Sequence, residues 1–157
     1  MQVLIIDERT ERRDRTMMAG LERNIFSTAT ANLAVGEEAL TRLPVDILVA
    51  SSSAFGDALG DLLGLAEERN PGLTTVLWSQ DVNWDLDMLS EAFPSLCAVL
   101  GDDVGADLAL RIGLSGARSS VAAAQEAASH QETYPIPQAF IDAPLPSSHE
   151  LAARSAA

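Results

Sequence analysis

Short apolar runs return five times in the first three-quarters of this chain, each followed by a stretch with helical spacing. Val3-Leu4-Ile5-Ile6 is the first such run, and Val45-Asp46-Ile47-Leu48-Val49-Ala50 repeats its character. A run with no polar alternation reads as a strand buried on both faces. We place strands at about Gln2 to Ile6, Ile25 to Thr30, Val45 to Ala50, Leu73 to Ser79 and Ser95 to Leu100. Between them, Glu8 to Asn24 carries Met17, Met18, Leu21 and Ile25 as an apolar stripe. Leu33 to Leu43 presents Leu33, Leu40 and Leu43 on one side. A helix from Asp57 presents Leu59, Leu62, Leu63 and Ala66, and Asp81 to Ala92 presents Trp84, Met88 and Ala92. A last helix, capped by Asp102 or Asp103, carries Val104, Leu108 and Ile112, with Gly113 and Gly116 weakening it. The arginines of the first helix (Arg9, Arg12, Arg13, Arg15) are expected to face water or a partner.

Strands alternating with helices specify a parallel sheet covered on both sides, and right-handed crossovers leave few topologies. The expected fold class is α/β, a flavodoxin-like (βα)5 sheet of order 2-1-3-4-5. Its switch point then places Asp7 and Glu8 opposite the Ser51 loop. The domain is read over residues 1–118, with a helical extension at 119–130. Residues 131–157 form a Pro-rich extended or disordered tail. Tyr134 to Pro146 carries four of the chain's seven prolines, which excludes helix and central strand.

Charge narrows the partners. There are 23 acids against 10 basic residues, for a net −13, and every basic residue is Arg. Direct nucleic-acid binding needs a basic patch and is not expected; a basic protein partner suits this balance better. No mechanism that needs a lysine ammonium is open to the chain. The single Cys97 excludes an internal disulfide and reads as a small core residue. No secretory signal or membrane-length apolar run is seen, so a cytoplasmic location is expected. The only histidines, His130 and His149, lie in or beside the tail, so a Ser-His-Asp arrangement is not expected.

On these residues the sequence resembles the receiver domain of two-component response regulators over residues 1–118. Ile5-Ile6-Asp7-Glu8 looks like the family's acidic pair at the end of strand one. Gly36-Glu37-Glu38-Ala39-Leu40 is similar to a stretch of its second helix, and Pro44 to Val49 to its approach to the phosphoacceptor. Ser79 matches the hydroxyl residue at the end of strand four. The resemblance implies that the acceptor position, five residues past Asp46, is Ser51. A serine cannot form an acyl phosphate and is a weak nucleophile without a base. The family's Lys after strand five is replaced by Gly101-Asp102-Asp103, and the preceding aromatic by Ala98-Val99-Leu100. Asp7 and Glu8 are the only metal candidates and are too few for a Mg²⁺ cage, so no metal or cofactor is expected.

The resulting expectation is an inactive receiver-like protein, not an enzyme. It would act as a regulatory protein-interaction module in bacterial signalling or transcription control. Ser51 is the inactive acceptor equivalent, with Asp7, Glu8 and Ser79 as a vestigial pocket. Trp84, Met88, Tyr134, Ile136 and Phe140 are the candidate partner interface. Trp78 is assigned to the core. Three other readings stay open: a small-molecule sensor using the vacated pocket, a structural subunit of a larger assembly, and self-association through the Arg-rich first helix.

Overall fold

The computed structural model describes residues 1–80 and 86–131, and side chains in most of that range. Trp84, Tyr134, Ile136 and Phe140 lie outside the described residues, as do the tail and the start of the expected fourth helix. Five parallel strands make one sheet: β1 (Gln2–Ile6), β2 (Phe26–Thr30), β3 (Ile47–Ser51), β4 (Thr74–Ser79) and β5 (Leu96–Gly101). Their order is β2-β1-β3-β4-β5, the flavodoxin-like order expected. Helices α1 (Thr10–Leu21), α2 (Leu33–Arg42), α3 (Leu59–Arg69), α4 (Leu86–Ala92) and α5 (Ala106–Gln131) follow the strands in turn. The chain divides into a unit Met1–Ala124, which holds the sheet, and a unit Gln125–Ala157.

The sheet sorts its side chains by alternation, which splits the core in two. Leu4, Ile6, Leu48, Ala50 and Leu77 pack under α2 and α3 with Leu40, Leu59, Leu62, Leu63 and Ala66. Val3, Ile5, Ile47, Val49, Val76 and Trp78 pack on the other side with Ala19, Ala109, Leu110 and Ala117. The α3 stripe is the one read from the sequence. Two single-turn 3-10 pieces, Ser52–Ala54 and Gly56–Ala58, precede it, so α3 starts at Leu59 rather than Asp57. Ser51 itself ends β3 rather than opening a loop.

The first helix departs from expectation. Its buried residues are Arg12, Thr16, Ala19 and Gly20, while Met17, Met18 and Leu21 are exposed. Small residues at this spacing let α1 lie close to the sheet: a Cβ on Gly20 would meet Ser27 Oγ at 2.5 Å. The larger apolar residues, spaced just as well, are turned outward. The helix starts late because Asp7 Oδ1 accepts the Arg9 backbone N–H at 2.9 Å, keeping Arg9 extended. It ends early because Asn24 takes a left-handed turn (φ 55°) and Ile25 N–H returns to Gly20 O.

Helix α5 is also corrected. Ala106, Ala109, Leu110 and Ala117 are buried, whereas Leu108 is exposed. The two glycines are close-packing points rather than weak links. A Cβ on Gly113 would stand 2.8 Å from Ile47 Cγ2, and one on Gly116 would stand 2.7 Å from Thr74 Cγ2. The helix lies on the sheet because those atoms are absent, and it continues unbroken through the Ala-rich stretch read as a separate piece. Cys97 is exposed on β5 rather than a core residue, although burial of its thiol against the protein still pushes its pKa up. Leu43, expected on the α2 stripe, is likewise exposed. No helix among the described residues is long and apolar enough to cross a membrane.

Candidate functional site

The C-terminal ends of β1, β3 and β5 meet at the top of the sheet, where open α/β folds hold their ligands. Asp7 follows β1 and is fully buried. Ser51 ends β3 and is also fully buried. Asp102 follows β5. The structure fills the space among these three with the side chain of Arg12.

Arg12 is reached from the first turn of α1, five residues after Asp7. Its Nε donates to Asp7 Oδ2, and its Nη2 donates to Asp7 Oδ1 at 3.1 Å. Nη2 also donates to Ser51 Oγ at 3.0 Å, while Nη1 donates to Asp102 Oδ1 at 2.8 Å. The guanidinium lies over the ring of Trp78, with Cζ 4.5 Å from the centroid. Trp78 is fully buried, as expected for core, and its Nε1–H donates to Val104 O at 3.2 Å. One planar cation thus forks to two carboxylates and one hydroxyl while stacked on an aromatic face. A lysine ammonium, as a point charge, could not make this set of contacts. Burial opposes the charge on Arg12, but hydrogen bonds to Asp7 and Asp102 outweigh it and raise its pKa.

The expectation that Arg12 faces water is therefore overturned. A buried acid at the end of β1 and a second acid after β5 need an internal cation, because unpaired buried charge costs several kcal/mol. Arg9 completes the balance by pairing with Asp102 from the rim. Two carboxylates, Asp7 and Asp102, then stand against two guanidinium groups.

The hydroxyls continue the network in one direction. Ser53 Oγ donates to Glu8 Oε1 at 3.0 Å, so its single proton is committed there. The 2.8 Å contact between Ser51 and Ser53 must then be Ser51 donating. Ser51 accepts from Arg12 and donates to Ser53, so its proton faces a hydroxyl rather than a base, with the Glu8 carboxylate one hydrogen bond further on.

Of the expected pocket residues, Asp7 and Ser51 are joined through Arg12, and Glu8 is linked through Ser53. Ser79 ends β4, buried, and pairs in register with Gly101 of β5. Met88 is exposed on α4, while Leu89 and Phe93 face the core. A cleft of about 210 Å³ beside the network is lined by residues including Arg9, Arg12, Asp102 and Asp103; Asp7, Ser51 and Ser79 do not line it. The Mg²⁺ that the resemblance implies does not fit these residues. Both Asp7 oxygens are taken by Arg12 and the Arg9 N–H, and a fixed positive charge sits between the acids. Among the described residues, no three His, Cys, Asp or Glu side chains come together as metal ligands.

Asp102 provides a pH test of the network. Burial favours its protonated form, but Arg12 and Arg9 outweigh that and hold its carboxyl below the usual carboxylate range. A depressed folded-state value contributes stability above the unfolded value near pH ~4, lost as pH falls through the folded value. Urea unfolding should therefore show Asp102→Asn less stable than the native chain at pH 6, with the gap closing below about pH 4. A gap that does not change with pH would mean that Asp102 carries no charge-dependent role.

Neither a protein-family profile nor a curated protein matches the sequence. Solved structures do match in fold. A response regulator from Thermotoga maritima is similar at TM-score 0.61 and 15% identity, over 74% of this chain and 97% of that one. A CheY-like receiver domain protein from Methanospirillum hungatei is similar at TM-score 0.63 and 14% identity, over 76% and 94%. The chain has the receiver-domain fold. The same fold recurs in a structure described as adenylate cyclase from Rhodopirellula baltica, at TM-score 0.64 and 12% identity over 84% and 98%. Likeness at such identities defines the fold, and function must be argued from the site.

Proposed function

We propose that this chain is a phosphorylation-independent receiver-like module whose output is binding to another protein. The observation that carries the reading is Arg12, seated between Asp7, Ser51 and Asp102. In this reading the cation has moved from the end of β5 to α1, and an acid stands in its former place. The top of the sheet is then held in one state by an internal ion network, with no acyl-phosphate acceptor. Receiver-like chemistry would need Arg12 to leave, uncovering two buried or half-buried acids with no counter-charge. The exposed Met88 on α4 and the overall charge of −13 support a protein partner, basic where it meets that acidic helix.

The test is exposure to acetyl phosphate, and separately to beryllofluoride, with Mg²⁺. Intact mass should stay unchanged, and amide NMR shifts around Asp7, Ser51 and Ser79 should not move. An acid-labile mass increase, or saturable shifts at those residues, would overturn the reading.

A further inference from the structure

A second charged feature lies at the opposite end of the sheet. Met1, Ile25 and Arg23, from the start of β1 and the α1–β2 turn, face Arg111, Leu114, Ser115 and Arg118 of α5 across a groove of about 540 Å³. Three of its seven lining residues are arginines and none is acidic, in a chain where acids outnumber basic residues 23 to 10. Arg23 is already held, by Ala19 O at 2.8 Å and by Asp107. Arg111 and Arg118 are exposed and have no ion-pair or hydrogen-bond partner among the described residues. By contrast, Arg9, Arg12, Arg15, Arg23 and Arg42 each pair with an acid. Two unpaired cations thus share a groove whose lining carries no acid, while Asp107 and Asp46 reach its edge only through Arg23 and the Met1 amine.

We propose that this groove docks an acidic segment of a partner protein. Arg111 and Arg118 are seven residues apart on one helix, which sets their Cα atoms about 10 Å apart along its axis. Ser115 lies between them on the same side, and Leu114 and Ile25 supply half-buried apolar floor. A compact anion would occupy one guanidinium and leave that floor uncovered. A peptide in the polyproline II conformation with carboxylates three residues apart spans about 9 Å, keeps both on one face and splays the apolar side chains between them to either side. Arg–carboxylate forks then supply orientation, and the apolar pair supplies area. The groove is a local exception to the acidic whole. Long-range repulsion from the rest of the chain would slow an acidic partner's approach, so the contact must be short-range. This proposal stands apart from the locked network, and either can fail alone.

The experiment uses the full chain and a fluorescein-labelled 15-residue peptide of repeating Asp-Leu-Val, read by anisotropy at 50 mM salt. The same peptide with Asn for Asp, inorganic phosphate as competitor, and sedimentation of the protein alone complete the set. The expected result is binding to the native chain that weakens at least tenfold in Arg111→Glu/Arg118→Glu. The Asn peptide should not bind, and Arg69→Glu should bind as the native chain does. Equal binding by the double variant, or by the Asn peptide, would overturn the proposal. So would displacement by millimolar phosphate, which would mark a compact-anion site. Self-association abolished in the double variant would also overturn it, since the occupant would then be a second copy.

Discussion

Arg12→Met is expected to destabilise the protein by about 3–5 kcal/mol, because it leaves Asp7 as a buried, uncompensated carboxylate. At about 4 °C per kcal/mol for a domain of this size, the melting midpoint should fall by about 12–20 °C. The cost is not a measure of the ion pair's net value, since a buried pair barely repays its desolvation. It measures the penalty of orphaning Asp7, which has no exposure to water. That distinction has its own test. Asp7→Leu/Arg12→Met removes both charges and should recover a large part of the loss, because apolar residues of similar volume replace buried pairs at little cost. Arg12→Lys should fall between the native chain and Arg12→Met, since one ammonium cannot reach Asp7, Asp102 and Ser51 together. A midpoint for Arg12→Met within 3 °C of the native value would show that Arg12 does not hold the top of the sheet.

Trp78→Ala should cost about 3–5 kcal/mol, the range for removing a large buried aromatic. Three contributions add here. The ring fills space on the α1/α5 side of the sheet, its indole N–H ties β4 to the segment after β5, and its face carries Arg12. A desolvated cation–π contact contributes up to ~2 kcal/mol, best with Trp. Trp78→Phe keeps most of the volume but loses the indole hydrogen bond and the stronger quadrupole, so a loss of about 1–2 kcal/mol is expected. Chemical denaturation measures both. In a Trp84→Phe background, Trp78 fluorescence should change on Arg12→Met and stay constant on Arg42→Met, a remote surface change. Identical spectra for the two would separate Trp78 from the Arg12 network.

Most of the fold was legible because burial on both faces leaves a coarse signature. The Val3–Ile6 run could not be solvated on either side, and the α3 stripe of Leu59, Leu62, Leu63 and Ala66 was too regular to turn outward. The first helix misled because its most apolar residues, Met17, Met18 and Leu21, are too large for the distance at which it sits. The stripe that faces the sheet is small at Thr16, Ala19 and Gly20, and its one long member, Arg12, extends to Asp7 at the top of the sheet. Gly113 and Gly116 raised the same difficulty: low helix propensity was visible, and the close approach it permits was not.

The site was legible only by its deficits. A serine at residue 51, where the resemblance implies the acceptor, and the lack of any Lys could be read directly. A sharper inference was within reach: an acid ending a buried strand, and acids where a cation was expected after β5, call for a compensating arginine. Nothing local said which one. Arg12 and Asp102 are ninety residues apart, and their pairing exists only once α1 and β5 are placed on the same sheet.

What the amino-acid sequence determined by itself is therefore the alternating architecture, the short list of sheet orders it allows, and a serine at residue 51 in a chain without lysine. Each follows from local patterning or from the identity of single residues. Only the tertiary structure decided that the acidic top of the sheet is closed from within by Arg12, stacked on Trp78. The physical reason is that neutralising a buried charge is a matter of distance in space, and helix periodicity carries no record of it.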